Sequence, residues 1–178
     1  MTLRQTLSAV LLTWAVAAPA TGQDRHDVRI AHEIGRQLNA YPQLSIFDHV
    51  SGTVENGVVT LTGKVTMPYK KDDVARRAQA ITGVREVHNR VDVLPVSQYD
   101  DDLRLRIARA IYGNSAFWRY ASRANPPIHI IVEGGHVTLI GVVNSNVDRM
   151  LARSLATGFG ELSVTNELRT DAEMRSEF

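Results

Sequence analysis

The sequence predicts an α+β protein of two tandem αββαβ modules, each a three-stranded mixed sheet with two helices on one face. Three observations lead there: a long internal repeat, apolar residues whose period switches between 3.6 and 2, and glycine-bearing dipeptides at matching points of both copies. A chain of 178 residues has room for one ordinary domain or two small ones, and the repeat selects two.

The repeat is clearest where Val54-Glu55-Asn56-Gly57-Val58-Val59-Thr60-Leu61-Thr62-Gly63-Lys64-Val65 matches Val132-Glu133-Gly134-Gly135-His136-Val137-Thr138-Leu139-Ile140-Gly141-Val142-Val143, offset by 78. At an offset of 77, Arg29-Ile30-Ala31 and Ile34 match Arg106-Ile107-Ala108 and Ile111. Ala75-Arg76, Gly83, Val87 and Asn89 match Ala152-Arg153, Gly160, Val164 and Asn166 at the same offset. A single-residue change in offset is the kind that loops absorb.

Each copy opens with a helix, whose apolar stripe is Val28, Ala31, Ile34 and Leu38 in copy one and Leu103, Ile107, Ala110 and Ile111 in copy two. Asp24 and the run Asp100-Asp101-Asp102 stand where the helix dipole favours carboxylates, and the run reads as linker and cap. A hairpin follows, with Ile46, Val50 and Val54 alternating in copy one and Ile128, Ile130 and Val132 in copy two. Asn56-Gly57 and Gly134-Gly135 allow the positive φ angles of its tight turn. The second strand presents Val59, Leu61 and Val65, or Val137, Leu139 and Val143, on one face. Gly63 and Gly141 interrupt that face, which suggests that a helix packs close to the backbone there.

A second helix starts near Thr66-Met67-Pro68, where Thr caps and Pro enters the first turn, with Asn144-Ser145-Asn146 in the same role. Its stripe is Val74, Ala75, Ala78 and Ile81, or Leu151, Ala152 and Leu155, and Gly83 or Gly160 stops it. Val84, Val87, Val91 and Val93, or Leu162, Val164 and Leu168, supply the last strand. The crossover helix then places both helices on one side of the sheet.

Residues 1–22 differ from the rest. Arg4 is the one charge before Asp24, and the apolar run from Leu7 to Ala18 ends in small residues such as Ala18-Pro19-Ala20. It is short for a bilayer span and reads as a signal peptide cleaved near residues 17–22, directing export to the periplasm. Two modules follow at 24–95 and 100–170, and 171–178 is a tail. The chain has no cysteine, so packing alone must hold the modules in an oxidising compartment, and no lipidated Cys can anchor them. Without Arg4 the Lys and Arg residues balance 19 Asp and Glu, which argues against a nucleic-acid partner.

The pattern Val-x-Asn-Gly-x-Val-Thr-Leu-x-Gly-x-Val at 54–65, an Ala- and Arg-bearing helix, and Gly83-Val84-x-x-Val87-x-Asn89-x-Val91 together resemble the BON domain. Copy two repeats the pattern from Val132 to Val143 and from Gly160 to Asn166. A leader followed by two such domains is similar to periplasmic osmotically inducible and outer-membrane-maintenance proteins. The resemblance implies a αββαβ fold, no catalysis, no cofactor, and contact with phospholipid membranes under envelope or osmotic stress. Copy two departs at two places: Ala40-Tyr41-Pro42 becomes Phe117-Trp118-Arg119-Tyr120, and the turn is Gly134-Gly135.

Two stretches of copy two are candidate contact surfaces. Helices on one face leave the other sheet face open, with Phe47, His49, Ser51, Thr53, Val58, Thr60, Thr62 and Lys64 in copy one, a mostly polar set. The copy-two face carries His129, Ile131, His136, Thr138, Ile140 and Val142, and its aliphatics imply packing on copy one or on a partner. The second candidate is Phe117, Trp118, Arg119, Tyr120 and Arg123, a mixture suited to a bilayer headgroup region, or else a plug beneath the helix. The expected partner is thus a phospholipid surface or an envelope protein, with no small-molecule substrate. His26 and His32 fall on opposite sides of a helix, and His129 and His136 are separated by a turn, so no metal site is expected, although the latter two can approach across the hairpin. No nucleophile elbow, phosphate-binding loop, His-Glu-x-x-His or dinucleotide fingerprint occurs, so no catalytic residue is assigned.

Overall fold

A computed structural model describes residues 22–123 and 125–176. The leader read at residues 1–22 lies outside them except for Gly22, and so does the side chain of Asp24. Module one runs α1 (Gly22–Asn39), β1 (His49–Glu55), β2 (Val58–Val65), α2 (Pro68–Gln79) and β3 (Glu86–Val93). Module two runs α3 (Gln98–Tyr112), a 3₁₀ turn (Ser115–Phe117), α4 (Trp118–Ala121), β4 (Ile128–Glu133), β5 (His136–Val143), α5 (Asn146–Leu155) and β6 (Ser163–Thr170). A short helix α6 (Asp171–Arg175) follows, closed by a capping box between Thr170 and Glu173.

Each sheet is mixed. β2 pairs antiparallel with β1 and parallel with β3, and β5 stands in the same way between β4 and β6. The central strand therefore buries the most: Val59, Leu61 and Val65 join Ile30 and Ile34 of α1 with Val74 and Ala78 of α2 in one cluster. Val137, Leu139 and Val143 do the same with Leu103, Ile107 and Ile111 of α3 and Ala152 of α5. Both helices of a module thus share one sheet face, giving two separate cores.

The apolar stripe of α1 is rotated from the expected one. Ile30, Ile34 and Leu38 face the sheet, while Val28 is 68% exposed and Ala31 is exposed, because the i, i+4 pair Ile30 and Ile34 supplies the larger buried area. At the start of α2 the cap position belongs to Met67, without a side-chain bond, and Thr66 turns instead to Asp48. Ser145 does cap α5, accepting from the Asp148 N–H. The helices also stop before the glycines: α2 ends at Gln79 with Ala80 as its C-cap and α5 at Leu155 with Ala156, where the chain tightens so that Ile81 and Ala156 reach the core. Gly83 and Gly160 lie beyond these ends, and at Gly83 a Cβ would sit 2.5 Å from the His26 ring.

Gly63 and Gly141 answer to a strand, not to a helix. With φ of 125° and 133°, each turns the position of a Cβ onto the edge strand's backbone, 2.1 Å from the His49 carbonyl oxygen or 1.9 Å from that of Pro127. The hairpin turns are the left-handed pairs expected, at Asn56-Gly57 and Gly134-Gly135. Each turn is also held by a carboxylate of the module's first helix. Asp27 accepts from the Asn56 and Gly57 N–H groups, and Asp100 accepts from Gly134 and Gly135 at 2.8 Å each. Asp100 is buried, so it is a structural clasp as well as part of the acidic run. Asn89 and Asn166 fasten the second helix, donating to the Lys71 and Arg149 carbonyls.

Asp48 and Lys70 form a buried ion pair at 2.6 Å. Burial by itself raises the Asp48 carboxyl, but Lys70 and the donors of Thr66 and Ser45 outweigh that and hold it below the usual range. Lys70→Met is expected to cost about 3–5 kcal/mol in urea denaturation, because it strands a buried carboxylate. Gly141→Ala is expected to cost about 2 kcal/mol or more by the same measurement, with the second module melting first. Asp100→Ala, which orphans two turn N–H groups, is expected to cost about 1–3 kcal/mol.

Candidate functional site

The open face of the second sheet does not stand free. Residues 45–49 of module one lie along β4, where the Ile130 N–H donates to the Ile46 carbonyl at 2.7 Å. Ile46 and Phe47 pack against the second core, beside Ala108 and Tyr112. Neither residue belongs to the open face or strand of copy one, because the chain bends at Asp48 and β1 begins only at His49. Lys64 forms an ion pair with Glu133 across the joint, and the rings of His49 and His129 meet edge to face at 5.5 Å. His129 therefore approaches His49, not His136, whose Nδ1 lies 2.8 Å from the Ser163 hydroxyl.

A cleft of about 340 Å³ lies at this joint, with His49 and Lys64 on one side and Ile131, Thr138, Ile140 and Glu167 on the other. Ile131 is buried, while Ile140 and Val142 are half-buried. Burial pushes the His49 imidazole down to about 4, and the facing His129 ring adds to the shift. His129 is lowered by burial as well, partly offset by the backbone of Asp48 and Ser45 and by the Asp48 charge. Burial thus favours the neutral form of both rings where the modules meet. Among the described residues no three His, Asp or Glu side chains are placed to hold a metal ion.

The aromatic segment divides in two. Phe117 and Tyr120 are buried, their ring centroids 5.6 Å apart. The Tyr120 hydroxyl donates to Asp148 at 2.7 Å and accepts from the Asn144 N–H at 2.8 Å, which locks α4 onto the start of α5. Trp118 points the other way and is 74% exposed. Arg119 and Arg123 are exposed beside it, with Arg119 at 4.0 Å from Asp148. On α5, Val147 and Met150 are exposed large apolar residues of the same module. Trp118, Arg119 and Arg123 are available for contact, whereas Phe117 and Tyr120 hold the segment in shape. Sequence spacing alone does not separate these roles, since a 3₁₀ turn runs into a helix at Trp118 and breaks the periodicity.

No helix among the described residues is long and apolar enough to cross a membrane. No curated protein matches the chain. Among solved structures, one from studies of CdsD, a structural protein of the type III secretion system of Chlamydia trachomatis, is similar at 14% identity, covering 84% of this chain and 96% of that one, with a TM-score of 0.28. A second structure, of the CdsD C-terminal domain, is similar at 12% identity over 79% of this chain and 96% of that one, with a TM-score of 0.29. The model of the BON domain matches twice, at residues 26–95 and 100–172, so the chain belongs to the BON domain family and carries the domain in tandem.

Proposed function

We propose that this protein is a non-catalytic binding protein of the periplasm that docks on anionic phospholipid surfaces through Trp118, Arg119 and Arg123 and serves in envelope maintenance. The carrying observation is the orientation of Trp118, a large ring held in solvent between two buried aromatic neighbours. Leaving an indole in water forgoes the stabilisation that burial gives, and a headgroup layer accepts its apolar body and its N–H together. Arg119 and Arg123 suit lipid phosphates, each adding about 1 kcal/mol at an anionic surface. The leader read at residues 1–22 supports export, and the BON family membership supports a binding role. The half-buried Ile140 and Val142 border the inter-module cleft and serve the joint in this reading.

Flotation with vesicles of anionic phospholipid tests the proposal. Replacing Trp118, Arg119 and Arg123 together by Ala is expected to weaken binding roughly tenfold or more, while thermal stability falls only modestly, since the three side chains lie outside the core and Arg119 gives up one long pair with Asp148. Binding should also fall as salt rises. Equal flotation of variant and wild type overturns the lipid reading, and a co-purifying envelope protein without flotation reassigns the surface to a protein partner.

A further inference from the structure

The joint between the modules brings two half-buried imidazoles, His49 and His129, edge to face among few other contacts. One covalent link crosses it, the segment 94–97, in which Val96 is fully exposed. The other named contacts are the Ile130–Ile46 backbone bond, the Lys64–Glu133 pair, the Asn125–Asn39 bond at 3.2 Å, and the packing of Ile46 and Phe47. Each module keeps its own core of buried residues, and from module one Ile46 and Phe47 pack against the rim of the second.

Burial outweighs the charges around the two rings. From β2, Lys64 is the cross-strand partner of His49 and already positive. From β4, Glu133 is engaged by Lys64. The Asp48 carboxylate beside His49 is taken up by Lys70 of α2, Thr66 and Ser45. His136 of β5 and Glu167 of β6 line the same cleft, and Glu167 is exposed. The buried Nδ1 of His129 has no hydrogen-bond partner, and the backbone of Ser45 and Asp48 with the Asp48 charge offsets the cost of burying a charged ring only in part.

We propose that this joint is an acid-operated hinge: protonation of His49 and His129 drives the modules apart while each stays folded, and uncovers Ile46, Phe47 and Ile131. The sign follows from linkage. Both rings are lowered in the closed form, so the opened form binds more protons at intermediate pH. The advantage of the closed form is complete above the ordinary imidazole value of 6.5 and is lost as pH falls toward about 4.

Small-angle scattering of the full chain between pH 7.5 and 4 tests this, with far-UV circular dichroism recorded alongside. The expected result is a rise in radius of gyration between pH 6.5 and 4 with the dichroism unchanged. The double variant His49→Gln, His129→Gln should stay compact over most of that range. A second variant, Lys64→Cys with Glu133→Cys bridged by a short bis-maleimide, should not expand at all, which the absence of native cysteine makes a clean comparison. A wild-type radius that does not change, equal expansion of the Gln variant, or expansion that accompanies loss of dichroism overturns the hinge.

Discussion

Much of this structure depends on one charge kept inside it. Asp48 is buried, and an ionised carboxylate is tolerated there only because five hydrogen bonds from Ser45, Thr66 and Lys70 replace its water. Those bonds tie the approach to β1 to the start of α2, so the chain must turn at residues 45–48. Because it turns there, Ile46 and Phe47 leave module one and lie on module two, and His49 is carried to His129. A local electrostatic requirement in one core thereby sets the contact between two.

Module two meets the same need with the carboxylate on the helix and a neutral hydroxyl as its partner. Asp148 occupies in α5 the place that Lys70 has in α2, and the partner that reaches it from the first loop is the Tyr120 hydroxyl. A tyrosine needs a longer approach than an aspartate, and its ring must be housed in the core. The chain accommodates this with a 3₁₀ turn and the short helix α4, which seat Phe117 and Tyr120 inward. Consecutive positions of such a turn point in different directions, so Trp118 is left outside. The exposed indole is thus a consequence of how this module pairs its buried polar groups.

The residues that were legible in the sequence are those whose cause is local. Left-handed turns announce themselves as Asn56-Gly57 and Gly134-Gly135, and the alternation of Val59, Leu61 and Val65 marks a strand with one buried face. Causes that lie far along the chain were not legible. Asp100 looks like a cap until the turn it clasps, 34 residues away, is placed against it. Ile46 keeps the spacing of Val50 and Val54, yet it leaves the strand because Asp48 intervenes. Gly63 was visible as an interruption, but its reason is the carbonyl of His49, which only pairing brings near. For the contact surface, composition marked the segment 117–123, and only three-dimensional packing could divide its inward aromatics from its outward ones.

The divergence of the two copies also bears on why the domain is doubled. In module one the corresponding aromatic, Tyr41, is buried, bonded to Asp73 and covered by the Arg77 guanidinium 4.2 Å from its ring centroid. It offers no outward indole, so among the described residues the anchor proposed at Trp118 has no counterpart at this position of module one. Duplication therefore does not supply two such anchors to one surface, which is where avidity would come from. What module one supplies is a body set against the second sheet, covering Ile131 and closing one side of the cleft. A small three-stranded sheet with an uncovered aliphatic face is exposed to unwanted association. Packing the first copy against the second removes part of that hazard, and it leaves Trp118 exposed on the second copy, where the lipid contact is proposed.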